Sequence, residues 1–449
     1  MTIPDGIFKA YDIRGLYPQE LDEAAAERIG CALVQQLGAS RLGAGMDPRP
    51  SSAGLLEAFA AGAAGAGAST VNFGLVHTEM LYFGVASRGL DGGVMVTASH
   101  NPPQYNGMKL VEEGALPLSG DSGIPELKER SQALEELPAK VVGTDVERLD
   151  LYPDYVAHLH GMVDVAAFRP YKVVMDAANG VAGKLAPLVF GSTPLDCVEM
   201  YFEVDGTFPN HEPNPLLEEN SREIRARVVA ERADLGIAWD GDADRCFFID
   251  EDGEFVPGDF VTALLAEALL LKNPGAKILY DLRASRAVPD VITANGGVPL
   301  LNRVGHAFFK QRMRREGGLF GGEVSGHYYF ADNYNADSGF IPALLILELL
   351  SQKKATMAEL LEPLRTKYFI SGEINSVVDD VPAALARIEE QFSDGEQGHL
   401  DGISVDYDDW HFNVRASNTE PLMRLNLGAD SQALMEEKRD LVLSLIREG

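Results

Sequence analysis

The chain has 449 residues, 46% hydrophobic and 24% charged, enough for several buried cores and about three or four domains. A net charge of −30 excludes the basic footprint that nucleic-acid binding needs. The longest apolar runs, Phe260 to Leu271 and Pro342 to Leu350, are interrupted by Glu267 and Glu348 and are too short to span a bilayer, so no membrane partner is expected.

From the N-terminus onward, Met1 to Asp5 carries no basic region followed by an apolar one, and Cys31, Cys197 and Cys246 fit neither a disulfide framework nor a zinc site. Both features point to the cytoplasm and to reduced thiols. Three times an apolar, strand-like run ends in aspartate and turns into a small-residue helix start. The runs are Leu42 to Asp47, Lys172 to Asp176 and Lys277 to Asp281, followed by Pro48-Arg49-Pro50-Ser51-Ser52, Ala177-Ala178-Asn179-Gly180 and Leu282-Arg283-Ala284-Ser285. The recurrence predicts three related α/β units with mixed sheets. Punctuation places domains at 1–150, 151–253 and 254–367, the second opening on a helix over Leu151 to Met162 and the third closing on an amphipathic helix over Met357 to Lys367. The remainder, 368–449, reads as a smaller α+β domain. Its strands are Ile370 to Val377, Ile403 to Tyr407, Trp410 to Arg415 and Leu422 to Leu427, around helices Pro382 to Phe392 and Ser431 to Arg447.

Chemistry concentrates in a few segments. Ser99 follows the apolar strand Gly92 to Thr97, where ligands bind in α/β sheets, and Pro102 and Pro103 stiffen its turn. His100 invites a Ser-His hydrolase, but neighbours in a turn tend to point apart and no Gly-x-Ser-x-Gly elbow surrounds Ser99. A plain helix-capping serine is the other reading of this segment. Asp240, Asp242 and Asp244 alternate, so a strand or shallow loop projects them to one side, as hard oxygen ligands for Mg2+. An EF-hand is excluded because its sixth place holds Arg245 instead of glycine, and a buried strand, Cys246 to Ile249, follows. Flanked by Gly236 to Trp239 and by Phe247-Phe248, three carboxylates at a core edge would repel one another; a metal resolves the conflict. Serine, carboxylates and guanidinium together are equipment for moving a phosphoryl group. On so acidic a chain, the cations that receive an anionic substrate must be gathered locally.

Glu323-Val324-Ser325-Gly326-His327 is suited to gripping the vicinal hydroxyls of a sugar. Arg415-Ala416-Ser417-Asn418-Thr419-Glu420-Pro421 offers a cradle for a phosphate that is held and not transferred. Tyr11-Asp12-Ile13-Arg14-Gly15 and Asn106-Gly107-Met108-Lys109 add cations.

These segments, in their order along the chain, resemble the α-D-phosphohexomutase family, and more closely its phosphomannomutase/phosphoglucomutase branch, over the whole chain. The resemblance implies four domains around a central cleft, three of them related. It implies Ser99 as phosphoserine, Asp240, Asp242 and Asp244 on Mg2+ beside it, and Arg245 near the transferring group. Glu323 and Ser325 would hold sugar hydroxyls; Arg415, Ser417, Asn418 and Thr419 would hold the distal phosphate; Tyr11, Arg14, Lys109, His306 and His327 would complete the cleft. The implied activity interconverts hexose 6-phosphate and hexose 1-phosphate through a hexose 1,6-bisphosphate that reorients, the same compound serving as activator. Lys109, with His327 or His306, would shuttle the hydroxyl proton, and the last domain would close over the sugar to exclude water. Thr97-Ala98-Ser99 and Tyr105-Asn106-Gly107 depart from the glucosamine-specific pattern, and His327 departs from the glucose-specific one, favouring mannose and glucose phosphates. Phosphoglucosamine mutase is the first alternative, followed by a Ser99-dependent metal phosphatase and a non-catalytic sugar-phosphate binder. Oligomeric state is left open by the residues.

Overall fold

The computed structural model describes residues 3–134, 147–416 and 422–447, and the chain splits into two compact units. One comprises Met1–Phe255 with His327–Lys354, the other Val256–Gly326 with Ala355–Gly449. In the first unit, strand Arg41–Met46 runs parallel between Ser69–Leu75 and Gly92–Val96. Gly92–Val96 then pairs antiparallel with Tyr105–Glu112, and that strand with Ile13–Leu16. A second sheet of the same unit repeats the plan. Lys172–Asp176 lies parallel between Asp196–Met200 and Leu235–Trp239, and the latter is antiparallel to Cys246–Ile249. In the other unit, Lys277–Asp281 lies parallel between Val298–Asn302 and Gly318–Gly322. In each case the first strand of the trio takes the middle, flanked by the second and third.

The residues explain the repetition. Strands covered on both faces must be apolar throughout, and every residue of Leu235–Trp239 and Cys246–Ile249 is buried. An aspartate closes each middle strand, as its last residue at Asp176 and Asp281 and just after it at Asp47, and its Oδ1 accepts from the backbone N–H two residues on, making an Asx turn. The three bonds are Arg49 N to Asp47 at 3.1 Å, Ala178 N to Asp176 at 2.8 Å and Arg283 N to Asp281 at 2.7 Å. Helices follow their caps. Asp22 accepts from Ala25 N to open Glu23–Leu37, and Gly38, at φ +63°, closes it in the left-handed region. The two long apolar runs lie within helices Gly258–Lys272 and Phe340–Lys353, and among the described residues no helix is long and apolar enough to cross a membrane.

The C-terminal sheet is antiparallel, with Leu422–Ala429 pairing Trp410–Ala416, then Ile403–Asp406, then the short edge strand Glu396–Gly398. Its core includes Trp410, Phe412, Leu425, Ile388 and Ile446, with helices Val381–Gln391 and Gln432–Arg447 contributing. Here the sequence reading needs one correction. The single strand expected from Ile370 to Val377 is two, Phe369–Ile370 and Ile374–Val377, both on Leu422–Ala429. Gly372, at φ +67°, breaks the run, and Glu373 turns toward a group of arginines instead of continuing the ladder. The edge strand at Glu396 carried no alternating apolar signal and escaped the sequence reading.

Candidate active site

Ser99 lies three residues beyond strand Gly92–Val96, is 2% exposed and has φ +51°, a left-handed conformation that a non-glycine residue adopts only where its surroundings hold it. Its N–H donates to Thr97 Oγ1 at 2.9 Å, and Thr97 Oγ1 donates to Asp47 Oδ2 at 2.8 Å. Ser99 Oγ donates to Asp240 Oδ2 at 2.9 Å, across 141 positions of sequence. The metal-loop backbone is just as close: a Cβ on Gly241 would stand 2.6 Å from Ser99 O, so this position takes glycine.

Asp240, Asp242 and Asp244 each offer a carboxylate oxygen within 4.8 Å of the others, all buried. Of the strand or shallow loop expected to project them to one side, the protein uses the loop. The segment is a turn, with Ala243 at φ +56° and Asp240 Oδ1 accepting from Arg245 N at 3.2 Å. Asp242 Oδ2 accepts from Thr78 Oγ1 at 2.5 Å and Lys109 Nζ at 2.7 Å, and Lys109 also donates to Asp244. Burial, Asp244 and Asp242 push the Asp240 carboxyl well above its usual range. Burial alone would lower Lys109, but Asp242 and Asp244 hold its ammonium well above its ordinary value. Asp242 Oδ1 is buried with no hydrogen-bond partner among the described residues. Three crowded carboxylates, one pressed toward its neutral form and another keeping an oxygen without a donor, fit a divalent cation taking hard oxygen ligands.

Around this trio stand Arg245, whose Nε is 3.6 Å from Asp240 Oδ2, and His327, whose Nε2 accepts from that Nε at 3.3 Å and lies 3.7 Å from Asp244. Arg14 donates to Asn101 Oδ1 at 2.6 Å and pairs with Asp12. Tyr11 is partly buried three residues before Arg14. His100 departs from the expectation that it points away: its Nδ1 is 3.3 Å from Ser99 Oγ, because the left-handed turn at Ser99 swings the two side chains together. Burial, Arg245 and Arg14 drive His100 well below its usual pKa, which leaves it neutral.

The second unit gathers a different set. Glu323 follows strand Gly318–Gly322, is 2% exposed and accepts from Gly305 N at 3.0 Å, next to His306, the first residue of helix His306–Glu316. Arg283 pairs with Asp281 at 2.7 Å, lies 3.7 Å from Glu323 and reaches Glu373 at 3.3 Å. Glu373 also meets Arg424 at 3.1 Å and Arg415 at 3.9 Å. Burial would raise the Glu373 carboxyl, but Arg283, Arg424 and Arg415 hold it below its ordinary value. Arg415 is the mirror case, its pKa lowered by burial and by Arg283, with a buried Nε lacking a hydrogen-bond partner among the described residues. Ser325 is partly exposed in the loop after Glu323. The expected phosphate contacts Ser417, Asn418 and Thr419 lie outside the described residues.

Sequence reasoning missed Thr78, Arg283, Glu373 and Arg424. Arg283 was within reach, since Asp281-Leu282-Arg283 repeats the Asp47-Pro48-Arg49 pattern; Glu373 and Arg424 sit in ordinary strand sequence and had no signal.

A buried serine hydroxyl bonded into a carboxylate trio, on a thrice-repeated α/β plan, is the equipment of a metal-assisted phosphoryl-transfer enzyme. Residues 5–137, 153–253 and 257–368 match the alpha/beta/alpha domains I, II and III of Phosphoglucomutase/phosphomannomutase, and 373–444 its C-terminal domain. The chain belongs to the phosphoglucomutase/phosphomannomutase family. The "Phosphohexose mutases" protein of Xanthomonas campestris pv. campestris (strain B100) is 44% identical over 452 residues, covering 100% of both chains. The Phosphomannomutase of Escherichia coli (strain K12) is 43% identical, covering 98% of this chain and 99% of its own. The crystal structure of a Phosphoglucomutase/phosphomannomutase family protein from Burkholderia thailandensis superposes with a TM-score of 0.89 at 34% identity, covering 100% of this chain and 99% of that one.

Proposed function

We propose that this protein interconverts hexose 6-phosphate and hexose 1-phosphate, of mannose, glucose or both, with Ser99 carrying the transferred phosphoryl group. The observation that carries the reading is the 2.9 Å bond from Ser99 Oγ to Asp240 Oδ2, which ties the nucleophile to the cation site. In the first step the Oγ–P bond of phosphoserine breaks as the free hydroxyl of a hexose phosphate forms its own O–P bond. The hydroxyl proton passes to a protein group, and the product is a hexose 1,6-bisphosphate. After reorientation the other phosphate returns to Ser99 and the isomer leaves. The same bisphosphate, added from outside, would phosphorylate a bare Ser99 and so act as activator.

Asp240, Asp242 and Asp244 would hold Mg2+, which when bound supplies a fixed charge against the transferring phosphoryl oxygens. Arg245 and Arg14 add cationic hydrogen-bond donors on the same side. We assign proton movement to Lys109 and His327, with His306 as a further candidate. In the second unit Glu323 and Ser325 would hold sugar hydroxyls, and Arg415 with Ser417, Asn418 and Thr419 the phosphate that is not transferred, while Tyr11 serves the substrate from the N-terminal segment. Cys31, Cys197 and Cys246 are free thiols, which supports a reducing cytoplasmic setting.

The test is intact-protein mass before and after incubation with glucose 1,6-bisphosphate and Mg2+, followed by product analysis with mannose 1-phosphate, glucose 1-phosphate and glucosamine 6-phosphate. The expected result is one added phosphoryl mass, absent in Ser99→Ala, and isomer formed from mannose or glucose phosphate. Isomer from glucosamine 6-phosphate alone would move the assignment to phosphoglucosamine mutase, and steady release of inorganic phosphate without isomer would make the protein a phosphatase.

A further inference from the structure

Arg49 leaves the Asx turn of Asp47 and runs beneath the Ser99 loop, with its side chain fully buried. Its Nε donates to Asp47 Oδ2 at 2.9 Å. One terminal nitrogen donates to Pro102 O at 2.7 Å and Tyr105 O at 3.1 Å, the other to Ser99 O at 2.9 Å and Asn101 O at 2.6 Å. A guanidinium has five N–H donors, and these five bonds engage all of them. No donor remains for a ligand, which sets Arg49 apart from Arg14 and Arg245.

The loop needs such a partner. Ser99 is left-handed, and Pro102 and Pro103 bring no N–H of their own, so carbonyls that turn inward over this stretch have few local donors. Asp47 grips the other side of the same turn, since its Oδ2 accepts from Thr97 Oγ1, which in turn accepts from Ser99 N. The backbone turn itself does not call for the arginine. The equivalent turn at Asp176 closes with the same bond to the N–H two residues on, yet that residue is Ala178. In the third repeat Arg283 stands at the matching place and points its guanidinium at Asp281 and Glu373. Only in the first repeat is the Asp-x-Arg turn directed onto the serine loop.

We propose that Arg49 is a positioning residue for phosphoryl transfer: it binds four carbonyls of residues 99–105 and so fixes Ser99 Oγ at the carboxylate trio, without touching substrate. The inference rests on Ser99 being the phosphoryl carrier. Misplacing a reacting atom by about 1 Å costs on the order of 100-fold in rate, which sets the expected size.

The test uses full-length Arg49→Lys, which keeps the charge but not the planar five-donor fork, with Arg49→Gln as a second variant. Hydrogen exchange, read peptide by peptide, should quicken about tenfold or more over residues 97–107, while the strands Arg41–Met46 and Ser69–Leu75 keep their protection. In the same variant kcat should fall about 100-fold with KM within about threefold, and inorganic phosphate released per isomer formed should rise as the loosened phosphoserine meets water. Wild-type exchange over 97–107, or exchange quickened evenly across the whole sheet, overturns the proposal, as does kcat within about threefold of wild type. If Ser99→Ala retains mutase activity while Arg49→Lys still loosens 97–107, the carrier assignment fails and the clamp stands, so the two failures are told apart.

Discussion

The serine half and the arginine half of this protein are built with opposite deficits. In the first unit three carboxylates stand together beside one buried lysine, and burial with the neighbouring Asp244 and Asp242 presses Asp240 toward its neutral form. In the second, three guanidiniums converge on Glu373, and burial with the neighbouring Arg283 lowers the pKa of Arg415. On the function proposed above, a divalent cation would relieve Asp240 and a phosphate would relieve Arg415. The comparison teaches that burial drives Asp240 and Arg415 away from their charged forms, and that like charges beside each push further in the same direction. On a chain of net charge −30, Arg283, Arg415 and Arg424 are gathered locally around Glu373.

The sharpest way to break the serine half is Ser99→Ala, which should lower mutase turnover at least about 1000-fold while hexose phosphate binding, measured by calorimetry, stays within about threefold. Turnover near wild type would mean that another group carries the phosphoryl. Next in size is Asp242→Asn. Mg2+ should raise the melting temperature of the wild-type protein by a few degrees and leave the variant unmoved, with activity down about 100-fold or more. An equal Mg2+ response in both would place the cation elsewhere.

The arginine half should answer differently. Arg415→Ala is expected to raise KM for hexose phosphate about 10- to 100-fold and to lower kcat much less, because in the proposed function it would hold the phosphate that does not move. A kcat loss as large as that of Asp242→Asn would erase the division between the halves.

The smallest effect concerns neither ligand. His211 Nε2 lies 3.1 Å from Asp176 Oδ2; burial would lower the imidazole, but that carboxylate holds it above its usual value. A folded pKa above the unfolded one, about 6.5, gives stability that is complete below that pH and is lost as pH rises through the folded value. His211→Gln should therefore lower the melting temperature by a few degrees at pH 5.5 and scarcely at pH 9. The reverse order would show that the pair is not charged in the folded protein.

Much of the fold was legible because the signals were local. The aspartate closing each middle strand, the apolar run before it and the small residues after it are all neighbours in sequence, and the structure turns them into three Asx turns and three parallel trios. Asp240 to Arg245 and Ser99 were legible for a related reason: charge and hydroxyl stood beside strongly apolar strands. Less visible were Glu373 and Arg424, whose meaning lies in partners distant along the chain. His100 was misread because its direction depends on one dihedral at Ser99.

By itself the amino-acid sequence determined the repeated strand-turn-helix units and where carboxylates, hydroxyls and guanidiniums stand beside apolar strands, since periodicity and charge are written along the chain. Only the tertiary structure decided that Ser99 meets Asp240, that Lys109 bridges Asp242 and Asp244, that Arg49 lies beneath the serine loop and that Glu373 joins three arginines. The reason is physical. Hydrogen bonds and ion pairs act over a few ångströms, and which distant residues come that close is settled by the packing of whole sheets, not by any one segment.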